Sequence, residues 1–244
     1  MQIAPSLHRI GNGNVNAYLV EEAGQVTIVD AGVSGYWSDL PGELSAMGRS
    51  LDDVRALVLT HGHSDHLGFA ERFRRERSIL PAIHELDAAM ARGEEKPQGQ
   101  QSGNIRIGAL VGFLLFGARH GALRTTPLVE VATFGDGATL DVPGAPRVVH
   151  VPGHSPGSAA LHFAGQDALL VGDAFATYAV TSGAVGPQIA PFTSDPAEAL
   201  ASLARIEAIE ARWALPGHGE PWTGGVAAAV AAVRTRVEAG TPVG

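Results

Sequence analysis

The chain has 244 residues, of which 45% are hydrophobic and 17% charged, a balance that supports a globular core of ordinary size. Its formal net charge of −8 argues against a surface built to grip nucleic-acid phosphates, which takes clustered Lys and Arg. Cysteine is absent, so disulfides and thiolate metal ligands are excluded.

Residues 1–6 show no basic stretch leading into an apolar run, so no signal peptide is expected. Residues 25–29 are rich in β-branched side chains and read as a strand ending at Asp30-Ala31-Gly32. A second, buried-type strand is expected over 55–59. It runs straight into LTHGHSDHLG, which holds His61, His63, Asp65 and His66. Residues 69–77 have helical composition, and the arginines at 72, 74, 75 and 77 read as its solvated face.

Residues 93–127 separate two halves of similar pattern. They contain a Gly/Gln tract and then the apolar run 107–118, too short for a bilayer span of about 20 residues. This segment reads equally as a lid over a binding site or as packing, either a buried helix or a dimer contact.

Further strands are expected over 147–151 and over the pair 158–163 and 167–171, which turns at 164–166. Asp195, Pro196 and Glu198 form a helix start, with an acidic cap, proline at the first helical position and Glu three residues after the cap. Leu200, Leu203, Ile206 and Ile209 extend that helix to about 209. A short strand at 212–215 and a helix over 226–238 complete the order. Strands and helices alternate in both halves, which predicts a layered α/β architecture in one domain spanning 1–244. No leader or membrane segment is read, so the expected location is cytoplasmic.

Several strand-like runs end in a metal-ligand residue. Residues 56–59 lead to His61, His63, Asp65 and His66, and 148–151 to His154. Residues 168–171 lead to Asp173, and 213–215 to His218. Loops at strand ends are where a rigid sheet can aim ligands. Glycine precedes His63, His154, Asp173 and His218, and is expected to let the backbone turn toward a crowded centre. Five histidines and two aspartates exceed the three or four ligands of one tetrahedral zinc and suit two ions sharing one carboxylate. The all-nitrogen-and-oxygen set admits zinc, iron or manganese. His8, His84, His120, His150 and His162 read as structural or surface residues.

The H-x-H-x-D-H stretch, followed by His154, Asp173 and His218, resembles the metallo-β-lactamase superfamily, and Asp30 matches that family's first motif. The resemblance implies a four-layered αββα sandwich of two mixed β-sheets with helices outside. It implies that His61, His63 and His154 hold a first metal, and that Asp65, His66 and His218 hold a second. Asp173 would bridge the two, and Asp30 would orient a ligand without touching metal. It further implies two divalent ions, zinc foremost with iron or manganese as alternatives, and a bridging hydroxide that attacks the substrate. Asp65 and Asp173 would serve as catalytic groups, with Asp65 relaying a proton.

Departures from family branches narrow the substrate. One lactamase class uses a cysteine, absent here, and another lacks the bridging aspartate. Flavo-diiron oxidases place glutamate where His63 stands. A glutathione-binding C-terminal domain and a basic RNA-gripping arm are both missing from this sequence. The tyrosine expected in lactonases is replaced by Ala176. The expected function is hydrolysis of a small carbonyl ester, lactone or thioester. A mononuclear iron oxygenase of the persulfide dioxygenase type and a β-lactam hydrolase are the alternatives. The expected partners are a small-molecule substrate and, as an open alternative, a second copy of the chain; no nucleic acid or membrane partner is expected.

Overall fold

The computed structural model describes residues 1–98, 105–122 and 125–240. Seven strands form the first sheet in chain order: β1 (Gln2–Ala4), β2 (Leu7–Gly11), β3 (Asn16–Glu22), β4 (Gln25–Val29), β5 (Val54–Val58), β6 (Ala82–His84) and β7 (Ala132–Phe134). The first four pair antiparallel, while β4 through β7 pair parallel. The second sheet contains β8 (Arg147–His150), β9 (Ala159–Phe163), β10 (Ala168–Gly172) and, after the two-stranded β11 (Ala176–Tyr178) and β12 (Val185–Gln188), β13 (Trp213–Pro216). Its order is β13-β10-β9-β8, with β10 and β13 parallel and the other pairs antiparallel.

Side-chain alternation explains why the sheets stack. In β3, Ala17 and Leu19 face one apolar cluster, whereas Tyr18 and Val20 face another. In β10, Leu169 and Val171 point away from Ala168 and Leu170 in the same manner. Tyr18, Val20, Val29 and Val58 meet Val148, Leu161, Leu170 and Leu215 in the core between the sheets. The outer face of the first sheet is covered by α1 (Tyr36–Ala46) and, after the one-turn α2 (Ser64–Leu67), by α3 (Ala70–Arg77). After α4 (Ala88–Ala91) and α5 (Ile107–His120), α6 (Pro196–Ser202) and α7 (Val226–Glu238) cover the second sheet. The result is the expected four-layered αββα sandwich. Among the described residues no helix is long and apolar enough to cross a membrane.

Two local expectations are corrected. The helix that begins at Asp195 does not run to 209. It stops at Ser202 and passes into a 3-10 turn over Leu203–Arg205. A strict three-residue apolar spacing fits three residues per turn better than 3.6, and Leu203 and Ile206 still reach the core. The stretch 64–67, read as loop, is a helical turn that places Asp65 and His66 on successive positions.

Candidate metal centre

The ends of β4, β5, β6, β8, β10 and β13 converge on one edge of the sandwich, where side chains of both sheets meet. Gly153 and Gly172 there have φ of 121° and 52°, so two of the four glycines before ligands do supply a left-handed turn. Gly217 serves another purpose: a Cβ on it would strike the Asp173 carboxylate and the His66 ring. Its hydrogen makes room for the ligands.

His61, His66, His154, Asp173 and His218 are almost fully buried, and the side chain of Asp65 is 25% exposed. Three groupings bring ligand atoms within 4.8 Å of one another: His61, His63 and His154; His61, His66 and Asp173; and Asp65, His66 and His218. Asp173 lies between the ends of the site. One of its oxygens is 3.4 Å from His154 Nε2 and 3.2 Å from His218 Nε2, and the other is 3.7 Å from His66 Nε2.

The hydrogen bonds fix which ring atom faces inward. Asp30 accepts from the Thr60 amide at 2.8 Å, the Thr60 hydroxyl at 2.8 Å and His66 Nδ1 at 2.9 Å. With its proton committed to Asp30, Thr60 Oγ1 accepts from His61 Nδ1 at 3.1 Å. Thr193 gives its proton to the Ala190 carbonyl at 2.7 Å and accepts from His154 Nδ1 at 3.1 Å. His218 Nδ1 donates to the Asn14 carbonyl. In all four rings this turns Nε2 toward the centre, the nitrogen that a metal-bound imidazole with a hydrogen-bonded Nδ1 presents. His63 offers Nδ1 instead, 2.9 Å from His154 Nε2.

Those inward atoms are what a metal would need. His61 Nε2, His66 Nε2 and one Asp173 oxygen are buried without any hydrogen-bond partner. Such groups are costly unless something pairs with them. The donor set therefore fits divalent cations.

Among the protein groups alone, the cluster polarises itself. Burial pushes His154 down to about 3, with His63 adding to the effect, and lowers His61 in the same way. Burial opposes charge on His66 too, yet Asp30 and Asp173 outweigh it and hold that ring up at about 10. His218 is held up at about 9, against burial, chiefly by Asp173. Burial likewise opposes charge on Asp173, but His218, His66 and His154 outweigh it and keep its carboxyl well below the usual range. The carboxylates thus favour the charged form of His66 and His218, while burial favours the neutral form of His61 and His154.

Sequence reasoning missed Asp87. Its fully buried carboxylate accepts from the Gly62 amide at 2.8 Å, the Ser155 hydroxyl at 2.6 Å and the Gly157 amide at 2.6 Å. It ties the loop carrying His61 and His63, from the first sheet, to the loop carrying His154, from the second. The signal was available in part: Asp87 follows the short apolar run of β6 much as Asp30 follows β4.

A cavity of about 340 Å³ opens over the ligands. Its floor includes His63, Asp65, His154, Asp173 and His218, and Phe113, Leu114, Gly117 and Ala118 of α5 form one wall. The described part of the segment read as lid or packing contributes to the cavity lining and to the core. Phe116 packs edge-on to Tyr36 in the core, with ring centroids 6.5 Å apart, while neighbouring residues line the cavity. Residues 99–104 of the Gly/Gln tract, and 123–124, lie outside the described residues.

Comparison with known proteins agrees with this geometry. The family model described as "Metallo-beta-lactamase superfamily" matches residues 10–218. The probable metallo-hydrolase YybB of Bacillus subtilis is 27% identical over 207 residues, covering 84% of this chain and 81% of its own. The uncharacterised B. subtilis protein YobT is 29% identical over 172 residues, and the match spans 66% of this chain and 62% of that protein's length. A metallo-beta-lactamase family protein from Thermus thermophilus superposes with a TM-score of 0.70 at 27% identity, covering 98% of this chain and 81% of its own. A further structure, solved in a di-iron-bound form, gives a TM-score of 0.60 at 25% identity over 88% of this chain and 93% of its own.

Proposed function

This chain belongs to the metallo-beta-lactamase superfamily and is a metal-dependent hydrolase, and we propose that it cleaves a small carbonyl ester, lactone or thioester with two divalent ions. The observation that carries this reading is the convergence of His154 and His218 on one oxygen of Asp173, beside His61 Nε2, His66 Nε2 and the other Asp173 oxygen, which are buried without a hydrogen-bond partner. His61, His63 and His154 would hold one ion, Asp65, His66 and His218 the other, and Asp173 would serve both. Such ions acidify a shared water and polarise a carbonyl oxygen.

The chain's own groups do the rest. Asp30 holds His66 directly and His61 through Thr60, so one carboxylate steadies a ligand of each ion. Asp65 is the only ligand-type carboxylate of the set that combines partial exposure with a place on the cavity floor, which suits it to receive and release a proton. Zinc is the leading ion, and the di-iron neighbour supports iron as the alternative.

The test begins with elemental analysis of unchelated protein, followed by an ester, lactone and thioester panel. About two ions per chain, with turnover abolished in His63→Ala and Asp173→Ala, is the expected result. A single iron with dioxygen uptake on a persulfide would replace this reading with an oxygenase.

A further inference from the structure

The cavity carries a second message, about charge. Beyond the ligands, its described lining is Ser64 plus apolar groups, with no lysine or arginine among the described residues. One wall is the Phe113–Ala118 side of α5. Val180, Pro191 and Phe192 complete the apolar lining. Against these apolar groups, away from the metal ligands, a carboxylate or phosphate tail would lose its water and meet no lysine or arginine among the described lining residues. An alkyl or ring group would lose only unfavourable contact with water.

Phe192 is held in place rather than resting there. Its φ is 62°, a left-handed conformation that a bulky residue rarely adopts, and it stays 39% exposed. The next residue, Thr193, anchors the loop to Ala190 and at the same time accepts from His154. Ser194 adds a hydrogen bond to the His154 carbonyl at 2.7 Å. One strained loop therefore aims a metal ligand and presents an aromatic ring to the cavity. From α5, the small Ala118 and Leu114, 59% exposed, add to the same apolar lining.

We propose that the site takes uncharged substrates bearing an aliphatic or ring substituent, seated against Phe192 and the Phe113–Ala118 wall, and discriminates against substrates whose substituent ends in an anion. This assignment rests on the hydrolase reading above. A volume of about 340 Å³ lies at the small end of ligand sites. Medium-length chains fill it.

The experiment uses metal-loaded protein and p-nitrophenyl esters from acetate to octanoate, with a matched ester ending in a carboxylate. We expect kcat/KM to rise by about threefold to fourfold per added methylene until the cavity is filled, and the carboxylate ester to fall behind its neutral partner by about tenfold or more. Ala118→Phe, which fills the wall, and Phe192→Ala, which removes the ring, should each flatten the octanoate-to-acetate ratio while metal content stays at the wild-type level. Calorimetric titration with octanamide should show binding with a negative heat-capacity change. Equal or preferred turnover of the carboxylate ester, or an unchanged ratio in both variants, overturns the substrate assignment alone. Octanamide binding with no turnover of any ester, lactone or thioester overturns the hydrolase reading and leaves the apolar pocket standing.

Discussion

Replacing Asp87 by Asn changes one oxygen to an amide nitrogen at the junction of two ligand loops. The carboxylate accepts three hydrogen bonds, from Gly62, Ser155 and Gly157. Asn retains one acceptor oxygen, so one backbone N–H loses its partner in either orientation of the amide. Ser155 can adapt, because Ser158 Oγ lies 2.8 Å away and can receive its proton. A buried donor left without an acceptor costs about 1–3 kcal/mol, so the metal-free variant should be less stable by that amount. Asp87→Ala leaves both backbone N–H groups unpaired, about 2–6 kcal/mol, which reaches the lower end of a domain's whole stability of about 5–15 kcal/mol and makes Asn the informative substitution. Gly62 lies between His61 and His63, and Ser155 follows His154. Loss of such supporting hydrogen bonds typically weakens metal binding about 10–100-fold. Under the proposed two-ion reading, that loss should fall on the ion assigned to His61, His63 and His154, with a smaller effect on the ion assigned to His218. Urea unfolding of the metal-free protein reads the first number, and competition against a chromophoric chelator reads the second. A folded Asp87→Asn protein that keeps both affinities would refute the idea that Asp87 sets ligand position. An unchanged urea midpoint would refute the hydrogen-bond reasoning itself.

Metal uptake should release about two protons at pH 7.5, because His66 and His218 are held up at about 10 and 9 and must give up protons to bind ions; affinity should climb with pH and level off above about 10, and calorimetry in buffers of different ionisation enthalpy measures it. The metal-free protein should also show a distinct pH dependence. His66 is raised on folding, so its contribution is full below about 6.5 and is lost as pH rises through about 10. Unfolding midpoints across that window should fall for the metal-free form, and a flat profile would contradict the pairing with Asp30 and Asp173. Gly217→Ala should drop metal content below two per chain, since the added methyl meets Asp173 and His66; retention of two ions in elemental analysis would show that the loop yields more readily than its packing implies.

The candidate ligands were legible in the sequence because they are local. His61, His63, Asp65 and His66 fall within six positions, and His154, Asp173 and His218 each follow an apolar run within a few residues. Layering was legible too, since alternation and short apolar strands report which faces must be covered. What joins these pieces is long-range. Asp87 reaches Gly62 across 25 positions and Gly157 across 70, and His218 leans on Asn14 across 204. No spacing rule records such partners, because the sheets bring them together only after they stack. The same holds for the cavity. Residues 107–118 announce themselves as apolar, yet whether they line a site or fill a core depends on what they are set against. Phe116 packs on Tyr36, while Leu114 and Ala118 line the cavity and Phe113 does both, stacking on Phe116. A helix presents different neighbours to different surroundings on each side, and only the tertiary structure decides which surroundings those are.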